Sequence, residues 1–453
     1  MRNKARISVI VTVFVITLLF ISQGCVKKLP FGTISFKPFT LKQLLTLDLE
    51  IDAAHSGVRV ASQKTEELTK RVSLLRELPL KKKVPFIKTR EEVIRAILLQ
   101  EQTKEESPRE IDADQKILVA LGLFPEGKSL RETLTNVLTE QIAGSYDSEA
   151  KVITVVSGKG TNSTMDEITT AHEITHALQD QNFNLEKPPL KDESYNSDTE
   201  LAITSLIEGD ATNVMAEYAK EYIPAQELLK MMQETGEMSS KELNKAPEYV
   251  RRSLLFPYEE GLAFVRSLLS SKGLEGLNAA FRDPPTSSEQ IIHPEKYFVT
   301  RENPKPVKLS DISGSLGKNW KLLETEIMGE FDVEVWFEVF CGLLSSREVA
   351  QGWAGNSIQY YQGPRGESAV VNYFLWDSPS DAHEFFTNYS ELLEKRFKKG
   401  LKKDRLDTSY YVMKTPKWNF YCGICGESTL AVQTTKPSTL KTVISNFPLF
   451  PQI

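Results

Sequence analysis

The chain has 453 residues, 40 % of them hydrophobic and 26 % charged, with a net charge of −6. That is the composition of an ordinary globular protein long enough to bury two or three cores, without repeats or low-complexity tracts. So small an acidic balance argues against nucleic acid as a partner, because a phosphate-binding surface shows as a basic stripe.

Arg2, Lys4 and Arg6 precede an uncharged apolar run from Ile7 to Ser22, followed by Gly24-Cys25 and the basic pair Lys27-Lys28. Residues 1–25 therefore have the layout of a signal peptide, with Cys25 where a bacterial lipoprotein is cleaved and acylated. Ser22 stands where a branched aliphatic is usual, so an uncleaved membrane anchor is the alternative, although the run is of marginal length for spanning. Both readings attach the protein to the cell membrane on its extracytoplasmic face.

Residues 26–115 form an N-terminal region with helical periodicity from Lys42 to Glu77. A short strand is predicted near Val84-Pro85-Phe86-Ile87, and the polar stretch from Thr103 to Asp114 reads as a loop. His55 has no context beyond surface or packing, and Lys81-Lys82-Lys83 reads as a solvated loop.

Residues 116–300 carry the chemistry. The β-branched run Ala150 to Val156 predicts a strand, ended by Ser157-Gly158-Lys159-Gly160, whose edge can pair with an extended peptide. Thr164 followed by Glu167 has the form of a capping box that starts a helix. Within that helix stands His172-Glu173-Ile174-Thr175-His176. Residues i and i+4 share a helix face, so both imidazoles can reach one Zn²⁺ while Glu173 addresses a water beside it.

A hydrolytic zinc takes three protein ligands, and the third is sought among His293, His383 and Glu208. Glu208 is the best placed. It lies midway in a predicted helix from Thr199 to Tyr222, N-capped by Asp198, between the small residues Gly209 and Ala211 where a neighbouring helix can approach closely. Asp180 and Asp210 are candidates to orient a ligating imidazole, as metal-bound histidines usually donate their other N–H. Tyr146 is a candidate for binding substrate, with plain packing as its alternative. His293 follows the turn Pro284 to Glu289; it either donates to a developing oxyanion or pairs with Glu289 to close a short helix ahead of Pro294.

Pro304, Pro306, Gly314 and Gly317 mark 301–319 as a linker. Beyond it, residues 320–453 alternate predicted helices (Val333 to Gln351, Ser380 to Lys399) with strands (Ser357 to Tyr361, Ser368 to Trp376, Ser409 to Met413, Thr429 to Thr434). This is an α+β domain without a catalytic constellation. Cys422-Gly423-Ile424-Cys425 lacks the second pair a structural zinc site needs, so two packed thiols are expected, and Cys341 is expected in the core.

Four strings, GSYD (144–147), HEITHALQDQNF (172–183), LIEGDAT (206–212) and PPTSSEQIIHPEKY (284–297), resemble a widespread, little-characterised group of prokaryotic zinc metallopeptidases of the gluzincin type. The resemblance covers about residues 70 to 300. It implies His172, His176 and Glu208 as ligands of one Zn²⁺ per chain, and Glu173 as the catalytic acid and base. Ser145 departs from the group's pattern, which has an aromatic residue there. The expected protein is thus α+β, a mainly helical gluzincin-like domain followed by a C-terminal α+β domain, acting on a peptide or protein substrate. The competing reading is an envelope-binding lipoprotein whose peptidase domain is vestigial; a non-peptidase zinc hydrolase could use the same ligands.

Overall fold

A computed structural model describes residues 63–89, 92, 95, 107–148, 150–156, 163–192, 194–236 and 240–453. The expected signal peptide or anchor with Cys25, His55, and the loop at 157–160 lie outside the described residues.

The first element is helix α1 (Gln63–Arg76), which buries Leu68, Val72 and the whole of Arg76. Strand β1 follows (Phe86–Thr89). Helix α2 (Ser107–Leu121) occupies much of the stretch expected to be a loop. Ile111, Ile117, Leu118 and Leu121 fall on one side of it and are buried, so packing overrides the polar composition of its first turns. Helix α3 (Leu130–Gln141) is capped by Ser129, whose side chain accepts from the Glu132 amide.

Strands β2 (Gly144–Asp147) and β3 (Val152–Val156) complete a three-stranded sheet in the order β1-β3-β2. β3 lies parallel to β1 and antiparallel to β2. Both edges of β3 are therefore taken, which corrects the expectation that this strand offers an edge to a peptide. Among the described residues, the edge on that side of the sheet belongs to β2.

Helix α4 (Ser163–Phe183) carries the two histidines. The helix begins at Ser163, so Thr164 lies inside its first turn, and Thr164 and Glu167 tie α4 to its neighbours. Thr164 donates to Glu227 at 3.1 Å, and Glu167 accepts from Tyr218 at 2.7 Å. Helix α5 (Ser197–Tyr222) begins at Asn196, whose side chain accepts from the Thr199 amide, and not at Asp198. Asp198 sits inside the first turn, wholly buried, and accepts from the Ser288 amide at 3.0 Å. Helices α6 (Ala225–Gly236) and α7 (Glu248–Ala280) follow, α7 being interrupted at Gly273, where φ is 65°. Two single turns, Ser288–Ile292 and Pro294–Phe298, close this part.

The predicted linker is fastened down. The Lys305 amide donates to Ala354 at 2.6 Å, and the Ile312 amide to the Tyr361 hydroxyl at 3.1 Å. Beyond it come β4 (Lys321–Glu326), α8 (Glu330–Cys341), α9 (Leu343–Ala350), β5 (Trp353–Gln362), β6 (Ser368–Trp376), α10 (Pro379–Phe397), β7 (Lys402–Leu406), β8 (Tyr410–Lys414), β9 (Asn419–Cys425), β10 (Ser428–Thr434) and α11 (Pro437–Ser445). The seven strands form one antiparallel sheet in the order β4-β5-β6-β10-β9-β8-β7. Gly342, at φ 93°, splits the single helix expected from Val333 to Gln351. The class is α+β, as the sequence predicts.

Cys422 and Cys425 stand three apart on β9, so their side chains take opposite faces: one is buried and one exposed, and both are free thiols. Cys341 is half-buried at a helix end and is not a core residue. Among the described residues, no helix is long and apolar enough to cross a membrane.

One apolar cluster runs from Ile111 through α5 and α7 to Trp336, Phe385 and Phe420 of the C-terminal part. The junction also holds hydrogen bonds at the end of α2. Arg396 and Gln433 both donate to the Ala120 carbonyl, at 2.8 and 2.9 Å, and the Trp336 indole donates to the Leu121 carbonyl at 3.2 Å. Those carbonyls have no partner inside the helix, so the C-terminal part caps α2.

Burial raises the Asp198 carboxyl from 3.8 to about 6, with the Ser288 bonds opposing and Glu330 adding. A carboxyl raised in the folded state adds stability in full below its unfolded value, and loses it as pH rises through the folded one. Asp198→Asn keeps the acceptor oxygen without the charge. It is expected to stabilise the protein by roughly 3 kcal/mol at pH 8 and hardly at all at pH 4. Urea unfolding at the two pH values checks this; an equal effect at both contradicts it.

Candidate metal centre

His172 and His176 project from α4 one turn apart, and Glu208 reaches them from the middle of α5. His172 Nε2 lies 3.0 Å from His176 Nε2 and 3.1 Å from Glu208 Oε2, and His176 Nε2 lies 3.3 Å from the same carboxylate oxygen. All three side chains are buried. Tetrahedral zinc, bound at about 2.0–2.1 Å, spaces its ligand atoms about 3.3 Å apart, so the triangle has the dimensions a zinc ion needs. Two imidazoles and a carboxylate are also its usual donors. Among the described residues, this is the group of His, Cys, Asp or Glu side chains whose atoms converge closely enough to hold a metal.

The approach of α5 is set from behind. A Cβ on Gly209 would fall 2.2 Å from the Gly261 carbonyl oxygen, and one on Gly261 would fall 2.3 Å from that of Ser205. The small residue beside Glu208 does admit a neighbouring helix, as the sequence suggests. That helix is α7, while α4 lies toward Glu208.

Burial tends to neutralise the Glu208 carboxyl, but the His176 and His172 imidazoles outweigh it and hold its pKa far below the usual range. The His176 imidazole is pushed down by burial and up, more strongly, by Glu208, then by Glu173 and Gln179, and reaches about 9. His172 goes the other way, burial lowering it against the pull of Glu208. The Glu208 carboxylate thus favours a proton on the His176 ring. A divalent ion would take that proton's place.

Glu173 points to a different neighbour. Burial raises its carboxyl well above the usual range, opposed by His176 and by a hydrogen bond from the Tyr146 backbone amide. Its Oε2 is buried and has no hydrogen-bond partner. Gly144 lets β2 lie against it, since a Cβ there would be 3.1 Å from Glu173 Cγ and 2.9 Å from Thr169 Cγ2. A carboxyl of raised pKa, held beside a metal position with one oxygen open, is suited to taking and returning a proton.

The remaining expected residues are placed elsewhere. Tyr146 is buried, and its hydroxyl donates to Asp180 at 2.7 Å; its backbone, not its ring, touches the centre. Asp180 accepts from Tyr146, from Lys151 at 2.6 Å and from the Leu185 amide, so it orients the β2–β3 turn and no imidazole. Asp210 reaches His176 only at second hand: it accepts from Gln179 Nε2 at 2.9 Å, and Gln179 Oε1 lies 2.9 Å from His176 Nδ1. Gln179 is thus the direct partner that the sequence reading missed. Its position, three residues after His176 on one helix face, is the signal that could have found it.

His293 separates the two short turns and engages Glu330 at 2.8 Å, while Glu289 bonds Lys296. The expected Glu289–His293 pair is therefore replaced by two others. The Glu330 neighbourhood belongs to the Asp198 end of α5, roughly 15 Å along the helix from Glu208 at 1.5 Å per residue. His383 lies on α10, with Thr387 as its neighbour.

Residues 321–443 match a domain family described as of unknown function, DUF8575. The matched span runs from β4 into α11 and contains none of the converging residues. No curated protein and no solved structure gives a match.

Gly209→Ala is expected to lower stability by about 3 kcal/mol, the upper range for overpacking, and to weaken metal retention with it. Gly400→Ala, where a Cβ would meet nothing within 4 Å, serves as the control. Denaturant midpoints for the two variants decide; equal values would mean that the α5–α7 contact can yield.

Proposed function

We propose that the protein is a zinc-dependent peptidase of the gluzincin type, attached to the extracytoplasmic face of the membrane through its N-terminus. The observation that carries the catalytic reading is the convergence of His172, His176 and Glu208 from two helices, within 3.0–3.3 Å of one another, with Glu173 beside them. Zinc bound there would polarise the scissile carbonyl and make a water molecule acidic enough to be a nucleophile near neutral pH. Glu173 takes the proton of the attacking water on its open oxygen and returns it to the leaving amine. The Tyr146 amide fixes the Glu173 carboxyl meanwhile. β2, against which Glu173 packs, lies at the edge of its sheet among the described residues, and a substrate backbone extended along that edge would run beside Glu173. An envelope-binding lipoprotein with a lapsed centre would leave Glu173 without a task.

The protein is expected to bind about one zinc per chain, and Glu208→Ala to lose most of it, since two protein ligands make a weak site. Glu173→Gln keeps shape and ligands. It should therefore retain zinc and its melting temperature while peptide hydrolysis falls about a hundredfold or more. Metal analysis and a peptide-library assay on the three proteins test this. Wild-type protein that is loaded with zinc yet inert toward every peptide would favour the binding lipoprotein.

Membrane attachment rests on the sequence of residues 1–28. Cys25→Ser is expected to abolish fatty-acid labelling and leave the precursor uncleaved. An unlabelled wild type would favour the uncleaved anchor.

A further inference from the structure

We propose that Arg76, Asp210 and Gln179 form a hydrogen-bonded relay that holds His176 with a proton on Nδ1 and Nε2 facing the metal position, which makes helix α1 a working part of the metal centre. This deepens the zinc reading above and rests on it.

The direction of the relay follows from the chemistry at each joint. Arg76 Nε lies 2.7 and 2.8 Å from the two oxygens of Asp210, and both side chains are buried. A carboxylate paired with a guanidinium in the interior offers acceptors only. Gln179 has one amide atom 2.9 Å from Asp210 Oδ2 and 3.0 Å from the Ile207 carbonyl oxygen. Both partners only accept, so that atom is the NH₂ group and the orientation of the amide is fixed. The other end is then the carbonyl oxygen, 2.9 Å from His176 Nδ1. Because an amide oxygen cannot donate, Nδ1 must carry the hydrogen. When His176 gives up its other proton, the lone pair is on Nε2, the atom that faces His172 and Glu208.

Arg76 is anchored in turn. Its Nη2 donates to Asn278 at 2.9 Å, and its guanidinium lies 5.9 Å from the Phe281 ring centre, so α1, α5 and the end of α7 meet behind His176. The other ligand has no such support. His172 Nδ1 is buried without a hydrogen-bond partner, and Tyr258 lies alongside its ring at 6.3 Å. His176 is therefore the ligand set by the fold, and His172 the one left to adjust to it. Arg76, Asp210 and Gln179 are positioning residues: they reach the metal position only through this imidazole.

The test combines zinc affinity, measured by chelator competition, with nitrogen-15 NMR of the histidine rings. In zinc-loaded wild type, His176 is expected to show a slowly exchanging proton on Nδ1 and coordination through Nε2. Gln179→Met, which keeps the length and leaves the Arg76–Asp210 pair intact, is expected to weaken zinc binding about tenfold to a hundredfold and to lose the slow Nδ1 proton. Arg76→Met should weaken binding as well, and Arg76→Lys, which keeps a cation beside Asp210, should recover most of the loss. A purely structural role would lower melting temperatures and leave the ring signature unchanged. Coordination of the wild-type ring through Nδ1 overturns the relay, and needs no variant to fold. Gln179→Met binding zinc as tightly as wild type overturns it too, while the zinc reading stands. A wild type that takes up no zinc removes both.

Discussion

Gly209 and Gly261 bring α5 and α7 together backbone to backbone, and the centre depends on that contact. At Gly209 and Gly261 no side chain stands between the two helices, so at that point their approach cannot be retuned by a rotamer. With one side of α5 pinned in this way, its other contacts fall into place along a single rod. Asp198 meets the Ser288 turn at its start, Glu208 meets the histidines of α4, Asp210 meets Arg76 of α1, and Tyr218 meets Glu167 a few turns on. The spacing of a rigid helix thus determines where three other segments must lie, the Ser288 turn, α4 and α1.

That rod carries three buried acids, and each is tolerated through a different neighbour. Asp198 is driven toward its neutral form, Glu208 is held ionised by two imidazoles, and Asp210 faces a guanidinium. An unpaired charge in such surroundings would be prohibitive, and even a paired one contributes little to stability. A shell of apolar residues would pack as well. What the charged set offers instead is a place suited to a cation, with the His176 ring held in a fixed direction.

The parts of this arrangement legible in the sequence are those written in local periodicity. His172 and His176 share a face because they are four apart, and the helical register of Thr199 to Tyr222 placed Glu208 within it. The strands from Ser368 to Trp376 and Thr429 to Thr434 followed from β-branched composition. Elements whose identity depends on distant partners were not legible. α2 is helical because its apolar side is covered, and β7 and β9 are strands because β8 lies between them. The departures at Asp180 and His293, and the indirect route from Asp210 to His176, have the same origin. Spacing along a helix tells which residues share a face, but which partner an acid meets is decided by Lys151, Arg76 and Glu330, from elsewhere in the chain.

The capping of α2 bears on the order in which the protein is built. Its last carbonyls find their donors in Trp336, Arg396 and Gln433, so a ribosome must deliver most of the chain before that helix end is satisfied. The two histidines and Glu208 emerge far earlier. The three converging side chains are then all present in the nascent chain while the apolar cluster shared with α8 and α10 still lacks its far wall. Folding of such a chain is completed late: nothing it could assemble early would be finished, and the last strands close the core only once nearly the entire polypeptide has been made.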